Sequence, residues 1–261
     1  MNEIVERIVE ERERKERGRR PRGKRGIRLT EREVAALEFL LDQKFGSTEQ
    51  VYRAIWKGQA SKSSKYAWDR LSLLEHHGFV RSIRVHTRAA LYYLVTPQGV
   101  RALELQKPHA FMLPPPRNIH YQEFEHDDRV TECRLWLQEK GLALAWKSER
   151  RLLAELLQDA QENRRDSLKF IAKGRLPDAV FQFQDGHLRA FELELTPKSK
   201  SRYRAKVLEY VQKIEAKQVD YIGVLFLTCS HRIFEALHET TQEYSPLFRV
   251  IPYEQLLKGE M

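Results

Sequence analysis

Apolar positions recur at helical spacing along the first third of the chain and switch to runs and alternations in the last third. Thr30 followed by Glu33 reads as a capping box ahead of Val34, Leu37, Leu40 and Leu41, which predicts a helix to about residue 44. Ser47 or Thr48 caps a second helix through Val51, Ile55 and Trp56, and a turn at Gly58 leads to a third over 62–77, stopped at Gly78. In that third helix Trp68, Leu71 and Leu74 read as core. Residues 79–85 and 90–95 alternate as two strands around a basic turn at His86, Thr87 and Arg88, and Pro97 opens a short helix. Three helices followed by a two-stranded wing predict a winged helix-turn-helix over 29–107. Pro108, Pro114, Pro115 and Pro116 then make 108–118 a stiff linker.

Beyond the linker the period changes again. A long helix is expected over 120–140, a strand over 142–147, and a charged, weakly periodic excursion over 152–175. A hairpin over 179–184 and 188–195 turns at Asp185 and Gly186, and a basic helix over 200–217 leads into the apolar run 221–227, of the kind buried on both faces of a sheet. A helix from Arg232 and a strand over 248–251 close the pattern. The fold class expected is α/β: the winged helix followed, over 119–261, by an α/β sandwich with a mixed sheet. Residues 1–28 form a basic N-terminal helix or tail, because from Arg17 to Arg28 seven bases occur without an acid.

Composition narrows the function classes. The 261 residues carry 46 Lys and Arg against 37 Asp and Glu, a net charge of +9 that favours a polyanionic partner such as double-stranded or locally melted DNA. Cys133 and Cys229 stand far apart, so no cysteine zinc site or disulfide framework is readable. The absence of a long apolar run and the charged start predict a cytoplasmic protein with no membrane partner.

The chemistry concentrates in the hairpin. Strand alternation turns Phe191, Leu193 and Leu195 to one face and Glu192 and Glu194 to the other, and Asp178 at the start of the preceding strand falls beside Glu192. Carboxylates converging at a sheet edge repel unless a cation sits between them, and Mg²⁺ or Mn²⁺ would take carboxylate, water and phosphate oxygens together. Asp178, Glu192 and Glu149 are the metal candidates, with Glu194 and Lys198 completing the catalytic set. Lys200, Arg202 and Arg204 would hold phosphates at the next helix, with Tyr203 and Tyr210 offering stacking or hydroxyl contacts. In the amino-terminal half, the start of the recognition helix places Ser61, Lys62, Ser63, Ser64 and Lys65 nearest base edges, Arg70 further along on the backbone, and Arg84 and Arg88 in the wing.

The series Glu149, Pro177-Asp178, Glu192-Leu193-Glu194 and Lys198 resembles the PD-(D/E)XK nuclease superfamily, whose sheet carries an acidic pair and a lysine two residues after the second acid. Here Glu194 stands at that lysine position, which makes Lys198 the candidate. The ordered set Leu-Thr-x-Arg-Glu at 29–33, Tyr-Leu-Val-Thr-Pro-x-Gly at 93–99, His126-Asp127, Arg-Leu-Pro-Asp at 175–178 and Phe-Glu-x-Glu-x-x-x-Lys-Ser at 191–199 resembles the replication-relaxation family, which includes MobC-type plasmid relaxases. The resemblance, over 29–230, implies a restriction-endonuclease-like second domain and metal-dependent nicking of one strand at a transfer origin, with other relaxosome or replication proteins as further partners. It also implies that His126 or Asp127 faces the nuclease cleft. The alternative is a non-catalytic replication or transcription regulator that uses the nuclease fold as a scaffold.

Overall fold

The computed structural model describes residues 27–58, 63–86, 88–107, 113–162 and 176–258. The basic tail, Ser61, Lys62, Thr87, Pro108 and most of the 152–175 excursion lie outside the described residues.

The chain is mixed α/β. Its amino-terminal part comprises α1 (Glu31–Asp42), β1 (Gly46–Ser47), α2 (Thr48–Ile55), α3 (Ser64–His76), β2 (Val80–Arg84), β3 (Leu91–Val95) and α4 (Pro97–Gln106). Helix α1 starts where the capping box predicts: Thr30 Oγ1 accepts from Glu33 N, and Glu33 reaches back to Thr30 N at 2.8 Å. The strands pair antiparallel in the order β1-β3-β2, so the predicted hairpin gains a two-residue third strand from between α1 and α2. The Thr96-Pro97-x-Gly99 exit from β3 has a local cause. Thr96 caps α4 by accepting from Gly99 N at 3.1 Å, Pro97 begins the helix without needing an amide donor, and a Cβ on Gly99 would lie 2.2 Å from Phe79 O. Only a glycine lets the two backbones come that close.

The carboxy-terminal part contains α5 (Tyr121–Glu139), β4 (Ala143–Ser148), α6 (Glu149–Glu162), β5 (Ala179–Phe183), β6 (Leu188–Glu194), α7 (Lys200–Glu215), β7 (Val224–Thr228), α8 (His231–Thr241), β8 (Phe248–Pro252) and α9 (Tyr253–Lys258). Its five strands run in the order β4-β5-β6-β7-β8. The first three are antiparallel and β6, β7 and β8 parallel, so the sheet is mixed as predicted. Phe191, Leu193, Leu225 and Leu227 pack with Val130, Cys133 and Leu137 of α5 on one face. Val180, Ala190, Phe226 and Val224 pack with Tyr203 and Tyr210 of α7 and Ile233 and Leu237 of α8 on the other. Period-two alternation within strands of both neighbours' reach explains why these runs are apolar almost throughout.

Two local expectations are corrected. Glu149, offered by the sequence as a metal ligand at the end of the strand before the excursion, opens α6, and the first part of the charged excursion is helical to Glu162. Strand β6 is central, not an edge, so its charged residues cannot face water from a sheet margin.

The two parts share an interface of core and ions. Leu113 and Leu135 join the amino-terminal core. Asp42 at the end of α1 accepts from Arg134 Nη1 at 2.7 Å and Ser148 Oγ at 2.6 Å. Gln50 Nε2 donates to Asp128 at 2.8 Å and to Glu132 at 2.9 Å. The connecting residues 113–120 lie outside helices and strands, with Leu113 and Ile119 buried and Pro114 O accepting from Arg150 at 2.5 Å. The stretch is tied down along its length rather than swinging as a spacer.

Candidate functional site

The acidic constellation forms, and it is more buried than alternation alone implies. Ala179 lies opposite Phe191 in the β5–β6 register, which brings Asp178 to the level of Glu192 and Leu193. Asp178 Oδ2 accepts from Leu193 N at 2.8 Å and lies 3.2 Å from His126 Nε2. Glu192 is 4% exposed and Glu194 2%, because α7 covers their face of the sheet. The helix brings its own cation: Lys206 Nζ lies 2.8 Å from Glu192 Oε2 and 2.7 Å from Glu194 Oε1. Tyr210 Oη donates to Glu192 Oε1, and Lys198 Nζ reaches Glu194 Oε2 at 2.7 Å.

Charge follows this geometry. Burial pushes the Glu192 carboxyl up, as does the neighbouring Asp178 charge; Lys206 and Tyr210 oppose both, and the value settles at about 7. Burial also works against a charged Lys206, but Glu192 and Glu194 outweigh it and hold the ammonium well above its ordinary value. Burial disfavours a charged His126, yet Asp127 and Asp178 overcome it and raise the imidazole to about 10. Asp178 is pulled below its ordinary range, since His126, the Leu193 amide and Lys206 outweigh its desolvation. A histidine whose folded value exceeds its unfolded one contributes stability fully below about 6.5, lost as pH rises through about 10. We therefore expect the His126 ring in a long-range ¹H–¹⁵N spectrum to stay in its imidazolium form at pH 8; a neutral ring there would contradict the Asp127–His126–Asp178 arrangement.

His126 also joins this centre to the amino-terminal part. Its Nδ1 lies 3.8 Å from Asp127 Oδ1, and Asp127 accepts from Lys44 Nζ at 2.8 Å. Lys44 adopts φ 70° between α1 and β1. Glu149 N donates to Asp178 O at 2.9 Å, but the exposed Glu149 side chain lines a different pocket, with Lys44, Asp127 and Asp178. A second cleft of about 240 Å³ is bordered by Gln122, His126, Asp178, Glu192, Lys198 and Lys206.

The candidate ligand set does not fit a divalent ion as it is arranged. Among the described residues no group of three His, Cys, Asp or Glu side chains converges as ligands. Both oxygens of Glu192 are held by Tyr210 and Lys206, both of Glu194 by Lys206 and Lys198, and Asp178 Oδ2 by Leu193 and His126. The repulsion that a metal would relieve is relieved by the chain's own cations. The sequence counts Lys206 with Lys200, Arg202 and Arg204 as bases offered to anions, and the structure turns it inward instead. Lys206 reads as one more base of an exposed helix, and only its spacing of four from Tyr210 and three from Tyr203 marks it as belonging to α7's buried face.

The other site residues divide between exposed and tied. Ser63, Ser64, Lys65 and Arg84 are exposed, as are Arg202 and Arg204, while Lys200 pairs with Glu239 at 2.7 Å. Arg70 is bound to the buried Glu33. Arg88 pairs with Glu125 at 2.8 Å and lies 3.6 Å from Asp128, so the hairpin tip rests on α5. Tyr203 and Tyr210 are buried, which removes them as stacking surfaces because α7 turns that stripe onto the sheet. Trp68, read as core, is 47% exposed, whereas Leu71 and Leu74 are fully buried.

No protein-family model, curated protein or solved structure matches this chain. Among the described residues, no helix is long and apolar enough to cross a membrane.

Proposed function

We propose that this protein binds a specific DNA site through an amino-terminal winged helix and that its carboxy-terminal sheet, of PD-(D/E)XK type, serves as a non-catalytic scaffold, as in a replication or transcription regulator. The observation that carries the scaffold reading is the internal neutralisation of the acids: Asp178 is matched by His126, Glu192 by Lys206, and Glu194 by Lys206 and Lys198. DNA binding is supported by the net charge of +9 and by the exposed hydroxyls and lysine at the start of α3.

A second reading, a Mg²⁺- or Mn²⁺-dependent relaxase nicking at a transfer origin beside other relaxosome proteins, is favoured by one feature. Asp178 and Glu192 stand side by side with Lys206 2.8 Å from Glu192, on an open cleft. It requires Glu192 to exchange Lys206 or Tyr210 for the ion.

Supercoiled plasmid carrying candidate origins, incubated with the full chain and Mn²⁺, separates the two. The scaffold reading expects retarded, still supercoiled plasmid, with binding that weakens steeply as salt rises. Relaxed product from the wild type that disappears in Asp178→Ala would establish the nickase instead. Binding insensitive to salt would remove the electrostatic basis for either.

A further inference from the structure

Helix α3 buries one stripe and displays another. Ala67, Leu71 and Leu74 are fully buried against the amino-terminal core, while Ser64, Lys65 and Trp68 are exposed. Residues three and four apart share a helix face, so Trp68 stands on the same surface as Lys65 and Ser64, one turn further along. Asp69, four residues from Lys65, is exposed on the same side of the helix, beyond its first turn. Trp68 lies outside the buried stripe of Ala67, Leu71 and Leu74, and Trp56 at 1% exposure supplies the large ring that meets Tyr66.

The partner chemistry is set by what surrounds the ring. The first turn of α3 carries no acid, and its N-cap Ser63 makes no side-chain capping bond, so amide donors and a hydroxyl are presented outward at the positive end of the helix. Lys65 adds a full positive charge beside them. An anionic partner with apolar groups about one helical turn beyond its nearest phosphates matches this face. A duplex offers both: phosphates along the groove wall and thymine C5-methyl groups on the major-groove floor, where an apolar side chain gains contact.

We propose that Trp68 is a specificity-determining residue that packs against thymine methyl groups in the major groove, with Ser63, Ser64 and Lys65 holding the adjacent phosphates. This rests on the DNA-binding reading above and adds to it the base feature being read. Stacked pairs expose edges rather than faces to a groove, so on intact duplex the indole meets methyl groups and not ring faces.

The test uses the full chain and fluorescently labelled duplexes recovered from a randomised pool by the wild type. Trp68→Ala should weaken binding about tenfold with the salt slope unchanged, while Lys65→Ala should lower that slope by about one. Replacing thymine by deoxyuridine should weaken the wild type and leave Trp68→Ala unaffected. Because the residue is exposed, melting curves matching wild type should confirm that the variant is folded. If Trp68→Ala binds as tightly as wild type, or discriminates thymine from deoxyuridine equally well, the proposal fails while DNA binding stands. If the variant loses affinity for single strands alone, the ring stacks on unpaired bases and the methyl contact is overturned. If the wild type recovers no duplex from the pool, the DNA-binding reading falls as well.

Discussion

Lys206→Met is expected to destabilise the protein by about 3–5 kcal/mol, the cost of leaving buried carboxylates without their cation, and to lower the melting temperature by roughly 10 °C in a chain of this size. Lys206 touches both buried acids of β6, and Lys198 reaches only the outer oxygen of Glu194, so no other side chain replaces it at Glu192. The loss should depend on pH in a defined direction. Glu192 has a folded value of about 7, above its ordinary 4.5, so its protonated form is the one the fold favours; that contribution is complete below about 4.5 and is lost as pH rises through about 7. With the lysine gone, the destabilisation should be larger at pH 8 than at pH 5. Adding Glu192→Gln and Glu194→Gln should recover much of it, since a buried polar pair without charge needs no counter-ion. Calorimetric melting at the two pH values checks this, and a Lys206→Met protein as stable as wild type at pH 8 would mean that α7 does not cover the acids.

Asp42→Ala should cost a similar amount, about 3–5 kcal/mol, for the opposite charge. Asp42 is 3% exposed and holds Arg134 and Ser148 from the carboxy-terminal part, with Arg151 Nε 3.7 Å away. Burial already depresses the Arg134 guanidinium, and Asp42 is the charge that opposes that depression. Without it Arg134 is left in the interface uncompensated, where the α1 end, α5 and the β4–α6 junction meet. Limited proteolysis should then cut first over 113–118, because Pro114 is held at the same junction by Arg150. Asp42→Asn, which keeps an acceptor for Ser148 but not the charge, should fall between the two. A wild-type urea midpoint for Asp42→Ala would show that the Asp42 cluster does not hold the two parts together.

Much of the secondary structure was readable because local physics decides it. The capping box at Thr30, the proline and glycine of the β3 exit, and the alternation of Phe191, Leu193 and Leu195 act within a few residues of sequence. Elements that depend on distant partners were missed for that reason. Strand β1 is two residues long and exists because β3 lies beside it; α6 was missed for another reason, since Leu152, Leu153, Leu156 and Leu157 stand at helical spacing but are set among charges. Trp68 was misplaced because helical spacing from Leu71 cannot distinguish the edge of a buried stripe from its centre.

The sequence by itself determined that Asp178, Glu192 and Glu194 share one region of a hairpin, since strand period and hairpin register need no further information. It also determined the overall excess of basic charge. What only the tertiary structure decided is what those acids meet. Whether a carboxylate faces water, a metal or a lysine depends on strand order and on which stripe of a helix twelve or more residues away is pressed against it. Placing β6 in the centre of the sheet and turning Lys206 and Tyr210 inward converts a row of acids into a buried, neutralised cluster. In the same way, the pairings of Arg70 with Glu33 and of Arg88 with Glu125 arise between residues more than thirty positions apart. Local pattern carries no record of such partners, because they come within reach only when distant elements pack against each other.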